Sequence, residues 1–547
     1  MKRRYVMWCL AALALVLLIA GRTRAEAATG SGSCGEGLTW ELNASGVLTI
    51  RGNGAMDKSY YSANPAPWAD YTDSIKKVVL EEGVTTVAIC GFENLPNLSE
   101  VSLPDSLTEI GNAAFQNCPS LAQITIPENV TTMGSNIVTG CTGLRNVYFN
   151  AKNLTSGELG RPCDEEAVLT ITIGEQVRVI PAWFCRIMKA LKKVVIPENG
   201  DLTDIGDLAF YECTGLTEIN LPANLVNIGY QAFYLCAGLS EIELGDQMTS
   251  IGQSCFEGCK GLTEVTIPKN MTKIGAYAFK DCTGIVKLTV EARKLDGCGA
   301  YVFCAAGSPS HRMNVVFTDD VTMIPGNFLS ARDEGDEVVP FVDTVSLGKN
   351  ITSIGGSAFY HQKYMTCNGL PGALTYIGSY AFGECNKAFT DIVIPEGVTK
   401  IERNTFYCCM SAESVTLPQS LKQIGEKAFC GCTSLKKLEI PAGVTSLGRA
   451  FAQNCRSMEE LIIRSEKYTL DQYGLYDCSS LKEVDLRNAD IKSVPYYFFS
   501  DCTALEKVYL PEKITKIETK AFYQCSSLKE IAIPENVTEI HGEAFEG

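Results

Sequence analysis

Apolar residues recur along this chain in a fixed frame of 23 positions, as from Phe210 to Phe233, Phe256 and Phe279. A clear copy runs Leu216, Ile219, Leu221, Pro222, then Ile228-Gly229, Ala232-Phe233 and Cys236. Leu-x-x-Ile-x-Ile alternates at its end, which predicts a short strand with its apolar side chains on one face. The proline that follows (Pro104, Pro127, Pro268, Pro441) has no N–H for a ladder, so it ends the strand and turns the chain. A second apolar pair, such as Val398 with Ile401, then points back inward. Gly111, Gly229, Gly252, Gly275, Gly378 and Gly425 come next and suit a corner with positive φ. Ala-Phe-x-x-Cys-x-x-Leu spaces its apolar members three or four apart, which predicts one helical turn.

Such a unit returns to its start and cannot cover its own apolar stripe, so it must stack on copies of itself. The segments from Ile75 to Ile533 make about 20 coils and imply a body on the order of 100 Å long, at ~4.8 Å per parallel strand. Two rows should run inside the stack. One holds Phe115, Phe210, Phe233, Phe256 and Phe279, then Phe359, Phe382, Phe406, Phe429, Phe451, Phe499, Phe522 and Phe545. The other holds thirteen cysteines, Cys213, Cys236, Cys259 and Cys282 among them. The fold class expected is a right-handed superhelical solenoid with a parallel sheet on the concave face and short helical turns and strands elsewhere.

Two irregular stretches, near 150–200 and 288–370, use Ile-Pro-x-x-Phe (Phe184, Phe328) and suggest duplication of a block of coils. Loops at 151–167, 305–313, 331–341 and 361–369 are expected to bulge from the stack. Residues 28–74 lack the repeat. Leu38 to Leu42 and Gly46 to Ile50 read as a β-hairpin that, with Trp40 and Trp68, caps the first coil of a solenoid spanning 75–547. The last copy stops just after Phe545, so the expectation is either a frayed last coil or, as the favoured reading, a fragment of a longer protein.

These motifs resemble the bacterial leucine-rich-repeat proteins of the BspA-like (Treponema pallidum-type) family. The resemblance rests on Leu-x-x-Ile-x-Ile-Pro, Val-x-x-Ile-Gly-x-x-Ala-Phe and the following Cys, over roughly 75–547. It implies a surface-exposed or secreted binding or adhesion protein. A cell-wall sorting motif, anchoring repeats and a C-terminal membrane span, which often accompany the repeats, are not seen in the sequence.

Composition sharpens this picture. Lys2, Arg3 and Arg4, the apolar run Val6 to Ala20 and Ala25-Glu26-Ala27 read as an export signal over residues 1–27. No later run is long enough to span a bilayer. The formal charge is −16, and the first 27 residues carry five basic side chains and one acidic, so the remainder stands near −20. That disfavours nucleic acid and anionic lipid as partners. A secreted or cell-surface location follows.

Little chemistry stands out. The cysteine row reads as buried free thiols acting as small apolar residues. Cys34, Cys90, Cys163, Cys185, Cys298, Cys304 and Cys367 lie off the row and are the better candidates for disulfides. Cys408-Cys409 and Cys430-Gly-Cys432 could together attract zinc, but a site wants two well-spaced pairs; the plainer reading is that Cys408 and Cys430 fill variable positions, and no metal or cofactor is expected. Only His311, His361 and His541 are present, with none of the usual hydrolase, metalloprotease or phosphate-loop motifs. An enzyme would need His311, Cys304 and an acid around one cleft, and no catalytic residue is assigned.

Binding is the expected activity. The strand residues between the apolar ones face the concave side, and Glu218, Asn220, Glu241, Glu243, Glu264 and Thr266 are the binding candidates. No aromatic stripe is evident. The partner expected is a protein or cell-surface macromolecule, host or bacterial. The rival expectation is a structural spacer that presents a C-terminal module.

Overall fold

The structure, a computed structural model, describes residues 29–162, 169–330 and 340–547. The export segment and Cys163 lie outside the described residues. The chain divides into two compact units, Met1–Pro222 and Ala223–Gly547. Each is a stack of parallel-strand coils, about 20 coils in total.

In the first unit the strands Gln123–Ile126, Asn146–Phe149, Leu169–Ile173 and Leu191–Val195 run parallel as one sheet. In the second, Glu264–Ile267, Lys287–Val290, Met313–Phe317 and Val342–Ser346 do the same. The alternation read from sequence holds: Glu264 and Thr266 are exposed while Val265 and Ile267 are buried. Where a proline follows the strand it opens a turn, its carbonyl accepting the N–H three residues on (Met271 to Pro268, 3.0 Å; Val444 to Pro441, 3.2 Å). A second sheet of two-residue strands, such as Ser250–Ile251 beside Lys273–Ile274, closes the opposite wall.

The expected helical turn is absent. Among the described residues the one helical element is the 3-10 segment Ala69–Ser74. In its place each coil makes a tight turn with two left-handed residues, the second and sixth after the corner: Ala113 (φ 54) and Asn117 (φ 57) in one coil, Gln231 (φ 49) and Leu235 (φ 57) in another. The physical reason lies in the neighbouring coil. An α-helix would keep its N–H groups for carbonyls four residues back. Here Gln231, Phe233 and Leu235 donate to Gln253, Cys255 and Glu257 of the next coil at 3.0, 2.9 and 2.8 Å. Left-handed backbone costs about 1–2 kcal/mol per ordinary residue, and these bonds, which pair backbone N–H and carbonyl groups between coils, offset it.

The glycines serve a purpose other than the one expected. None of Gly111, Gly229, Gly252, Gly275, Gly378 and Gly425 has positive φ. Gly111, Gly252, Gly275, Gly378 and Gly425 sit where the preceding coil comes too close for a side chain. A Cβ on Gly252 would lie 2.4 Å from the Gly229 carbonyl carbon, and one on Gly275 2.2 Å from Gln253 N.

The aromatic row is real and begins earlier than the sequence suggested. Trp68 stacks on Phe92 (5.2 Å, 12°), and Phe92 on Phe115 (5.5 Å, 14°). In the second unit Phe233, Phe256, Phe279 and Phe303 continue at 5.1–5.3 Å. Phe382, Phe406 and Phe429 stack likewise. Phe451 is not a member: Ala452 occupies the row, its N–H donating to Gly474 O, and Phe451 fills the place before it. Phe184 and Phe328 are displaced in the same way, with Cys185 and Leu329 taking the row.

The hairpin is a three-stranded antiparallel meander, Gly30–Gly35, Leu38–Leu42 and Val47–Gly52, whose last strand pairs in parallel with Lys77–Leu80. Trp40 packs edge-on against Trp68 at 6.1 Å. Two expected bulges belong to the stack instead. Leu159 accepts from Val138 and donates to Phe184 O, and Thr366–Cys367 pairs with Thr344 and Val345. The intervals 163–168 and 331–339 of the expected loops fall outside the described residues.

Candidate functional site

The strand faces carry the predicted binding residues, and all six are exposed. In the first unit Glu218 pairs with Lys193 at 2.6 Å, and Asn220 stands beside it in sequence. In the second unit Glu264 pairs with Lys287 at 2.8 Å across adjacent strands. Glu241 and Glu243 make no ion pair among the described residues, and their segment keeps the buried–exposed alternation without forming a strand. Exposed ion pairs of this kind contribute about 0–1 kcal/mol, so the paired carboxylates remain open to exchange partners. Further along the second unit the face carries Val316, Thr344 and Ser346, then Asp391 with Val393, and beyond them charges of both signs, with Lys437–Glu460 and Arg464–Glu439 both at 2.9 Å. Arg487 beside Asp485 holds that carboxyl below its ordinary range.

The cysteine row is more than apolar filling. Each thiol donates to the backbone carbonyl of the aromatic-row residue one coil back: Cys141 to Phe115 at 3.1 Å, Cys259 to Phe233 at 3.1 Å, Cys282 to Phe256 at 3.0 Å. That carbonyl also accepts the N–H of the cysteine in its own coil, as Phe233 does from Cys236 at 3.1 Å. The thiol therefore satisfies a second lone pair that burial would leave bare. Gln362, which stands at the cysteine position of its coil, donates its amide to Leu329 O at 2.6 Å while only 2 % exposed. The same bond from a different side chain identifies the donor as what the position requires. Burial pushes Cys213 up to about 12 and raises Cys259 and Cys282 further, so these thiols stay protonated and poorly nucleophilic.

No disulfide joins the described cysteines, Cys34, Cys90, Cys185, Cys298, Cys304 and Cys367 among them. The expected disulfides are not formed, for the fold sets these residues in different elements: Cys34 in the cap, Cys185 on the row, Cys298 in the short-strand sheet and Cys367 in the longer-strand sheet. No group of three or more His, Cys, Asp or Glu able to hold a metal is found among the described residues. His311 is exposed, with Nδ1 3.0 Å from Ser310 Oγ, while Cys304 is 1 % exposed and offers no accessible nucleophile. His361 contacts Glu384 at 2.6 Å.

One surface escaped the sequence reading. The turns near the end of the second unit gather Tyr473, Tyr476, Tyr496 and Tyr497. Tyr473 stacks on Tyr497 at 5.3 Å, and Tyr496 meets Tyr497 at 4.3 Å. Arg449 lies over Tyr473 at 5.2 Å and Lys520 over Tyr497 at 5.4 Å. Tyr473 and Tyr497 share one place in their coils, the second after the corner, while Tyr476 and Tyr496 hold other places, so no regular stripe marks the cluster in the sequence.

The family described as "BspA type Leucine rich repeat region (6 copies)" matches residues 69–184, 180–307, 352–482 and 448–547. No curated protein matches. Among solved structures, a leucine-rich repeat protein from Bacteroides ovatus is 24 % identical, with 74 % of this chain and 94 % of that one covered and a TM-score of 0.45. A leucine-rich repeat protein from Eubacterium ventriosum is 20 % identical over 95 % of each chain, with a TM-score of 0.28. A leucine rich cell surface protein from Faecalibacterium prausnitzii is 18 % identical over 88 % of this chain and 95 % of that one, with a TM-score of 0.22. With the family matched over most of its length and its coils built from that repeat, the chain belongs to the BspA-type leucine-rich-repeat family.

Proposed function

We propose that this chain is an exported, non-catalytic binding or adhesion protein that recognises another macromolecule, protein or cell-surface polymer, through its repeat surface. Residues 1–27 act as the export signal, 28–74 as the cap and 75–547 as the recognition array. The observation that carries this reading is the exposed row on each strand face, where side chains stand on a backbone fixed by its neighbours. Preorganised side chains of this kind bind with little ordering cost. In the second unit Glu241, Glu243 and Glu264, with Thr266 beside them, make that row acidic, and in the first Glu218 and Asn220 are their counterparts. An acidic protein also has little affinity for nucleic acid. No helix among the described residues is long and apolar enough to cross a membrane.

The test pairs capture with charge reversal. The chain from residue 28 is immobilised and exposed to host-cell and cell-wall extracts, alongside a variant carrying Glu241→Lys, Glu243→Lys and Glu264→Lys. A partner captured by the parent and lost by the variant supports the strand face; equal capture by both moves recognition elsewhere. N-terminal sequencing of protein recovered from the culture supernatant or cell surface should begin at Ala28, and a retained leader would refute the export reading.

A further inference from the structure

Beside the four tyrosines of the second unit runs an open groove lined by Asp471, Gln472, Asp490, Lys492, Ser493 and Tyr496. We infer that this groove binds a neutral oligosaccharide, with a sugar ring laid against Tyr496 and its hydroxyls bonded to the carboxylates, amide and hydroxyl around it. A pyranose has an apolar C–H face and a rim of hydroxyls that both donate and accept. Tyrosine supplies a large, rigid, amphipathic surface at low entropic cost. Carboxylates accept two hydrogen bonds and a glutamine side chain both donates and accepts, the small set of placed polar groups that gives a concave site its specificity.

Charge selects the neutral ligand over its rivals. The tyrosine faces already have cations over them, Arg449 on Tyr473 and Lys520 on both Tyr497 and Tyr523 (4.8 Å). A lysine- or arginine-rich peptide would meet those cations at the aromatic surface. The groove's carboxylates are also compensated: Asp490 lies 3.2 Å from Lys467 and 3.6 Å from Lys513, and Glu518 lies 3.3 Å from Lys516. With Asp471, Asp490 and Glu518 set among Lys467, Lys492 and Lys513, a polymer of either single charge meets like charge along the groove. Tyr496 is held by its neighbours, edge-on to Tyr473 at 5.6 Å and to Tyr497 at 4.3 Å, so its position is fixed before any ligand arrives.

This inference is separate from the strand face, and one experiment distinguishes them. The full chain is run through native gels cast with soluble neutral polysaccharides (hydroxyethyl cellulose, galactomannan, arabinoxylan) and, as controls, with polygalacturonate and with poly-lysine. At least one neutral polymer should retard it. Tyr496→Ala and Asp490→Asn should weaken that retardation at least tenfold and Tyr496→Trp preserve it. Tyr277→Ala, on another coil, should change nothing, and Glu241→Lys with Glu243→Lys should leave retardation intact. No retardation by any neutral polymer overturns the proposal, as does retardation by polygalacturonate or poly-lysine alone. If Tyr496→Ala is misfolded by circular dichroism, Asp490→Asn decides: retardation unchanged from the parent refutes the site.

Discussion

Two stretches of the second unit solve the same packing problem differently. Around 252–306 the aromatic row is unbroken, with Phe256, Phe279 and Phe303 face to face at 5.1 Å. Around 448–502 the row holds Ala452 and Leu475, while Phe451 and Phe498 sit one place earlier in their coils. Both stretches keep the same backbone bonds: Phe279 N–H to Val302 O at 2.8 Å in one, Leu475 N–H to Phe498 O at 3.0 Å in the other. Both keep the thiol bond, Cys282 to Phe256 O at 3.0 Å and Cys478 to Ala452 O at 3.2 Å. Ring stacking is therefore not what sets the coil. The frame belongs to the peptide and thiol bonds, and side-chain volume moves between two adjacent positions to fill it. Gly474 shows the accommodation: a Cβ there would come within 2.3 Å of the Phe498 ring.

The largest effect should come from removing volume where the row is regular. Phe256→Ala should cost about 3–5 kcal/mol in urea denaturation followed by circular dichroism; a cost below 1 would mean the row is dispensable even there. In the displaced stretch Gly474→Ala should cost about 1–3 kcal/mol through overpacking. That cost should largely vanish in a Phe498→Ala background; an additive double-mutant cycle would show that the two positions do not share one space. Cys282→Ala and Cys478→Ala should each cost about 1 kcal/mol, equally in both stretches. Unequal costs would tie the thiol bond to ring stacking.

The smallest effect is on pH dependence. Cys213 rises from 9.0 to about 12 on burial. The native state keeps a proton that the unfolded chain releases, so this contribution is complete below pH 9.0 and is lost as pH climbs toward about 12. Urea midpoints should fall through that window, less steeply for Cys213→Ala. A thiol reagent near neutral pH should leave the ladder cysteines unmodified until the chain is denatured, and ready modification of the native protein would contradict their burial.

The 23-residue frame, the strand alternation and most of the aromatic and thiol rows were legible because they repeat at constant offset. What repetition did not reveal were the features fixed by the neighbouring coil. Ala-Phe-x-x-Cys has helical spacing, yet alternate N–H groups, such as those of Phe233 and Leu235, bond to the next coil, a partner no local pattern contains. Phe451 looked regular because its Ala-Phe pair is intact, although the pair is shifted by one place relative to Gly448. Phe92 was missed because Cys90-Gly91-Phe92 lacks the usual Ala-Phe signature. The exposed candidates could be named from alternation alone, whereas the tyrosine cluster depends on which coils lie side by side.

The left-handed residues have a consequence for how such a chain can diversify. Their unusual φ is imposed by an acceptor on the adjoining turn, not by the nature of the side chain. Gln231, Ser254, Tyr277, Lys427 and Tyr473 all occupy the same site with nearly the same backbone. The scaffold thus offers a row of sockets, each able to take a new chemical group without disturbing the thread beneath, so that mutation can rewrite what the molecule grips while its architecture stays put.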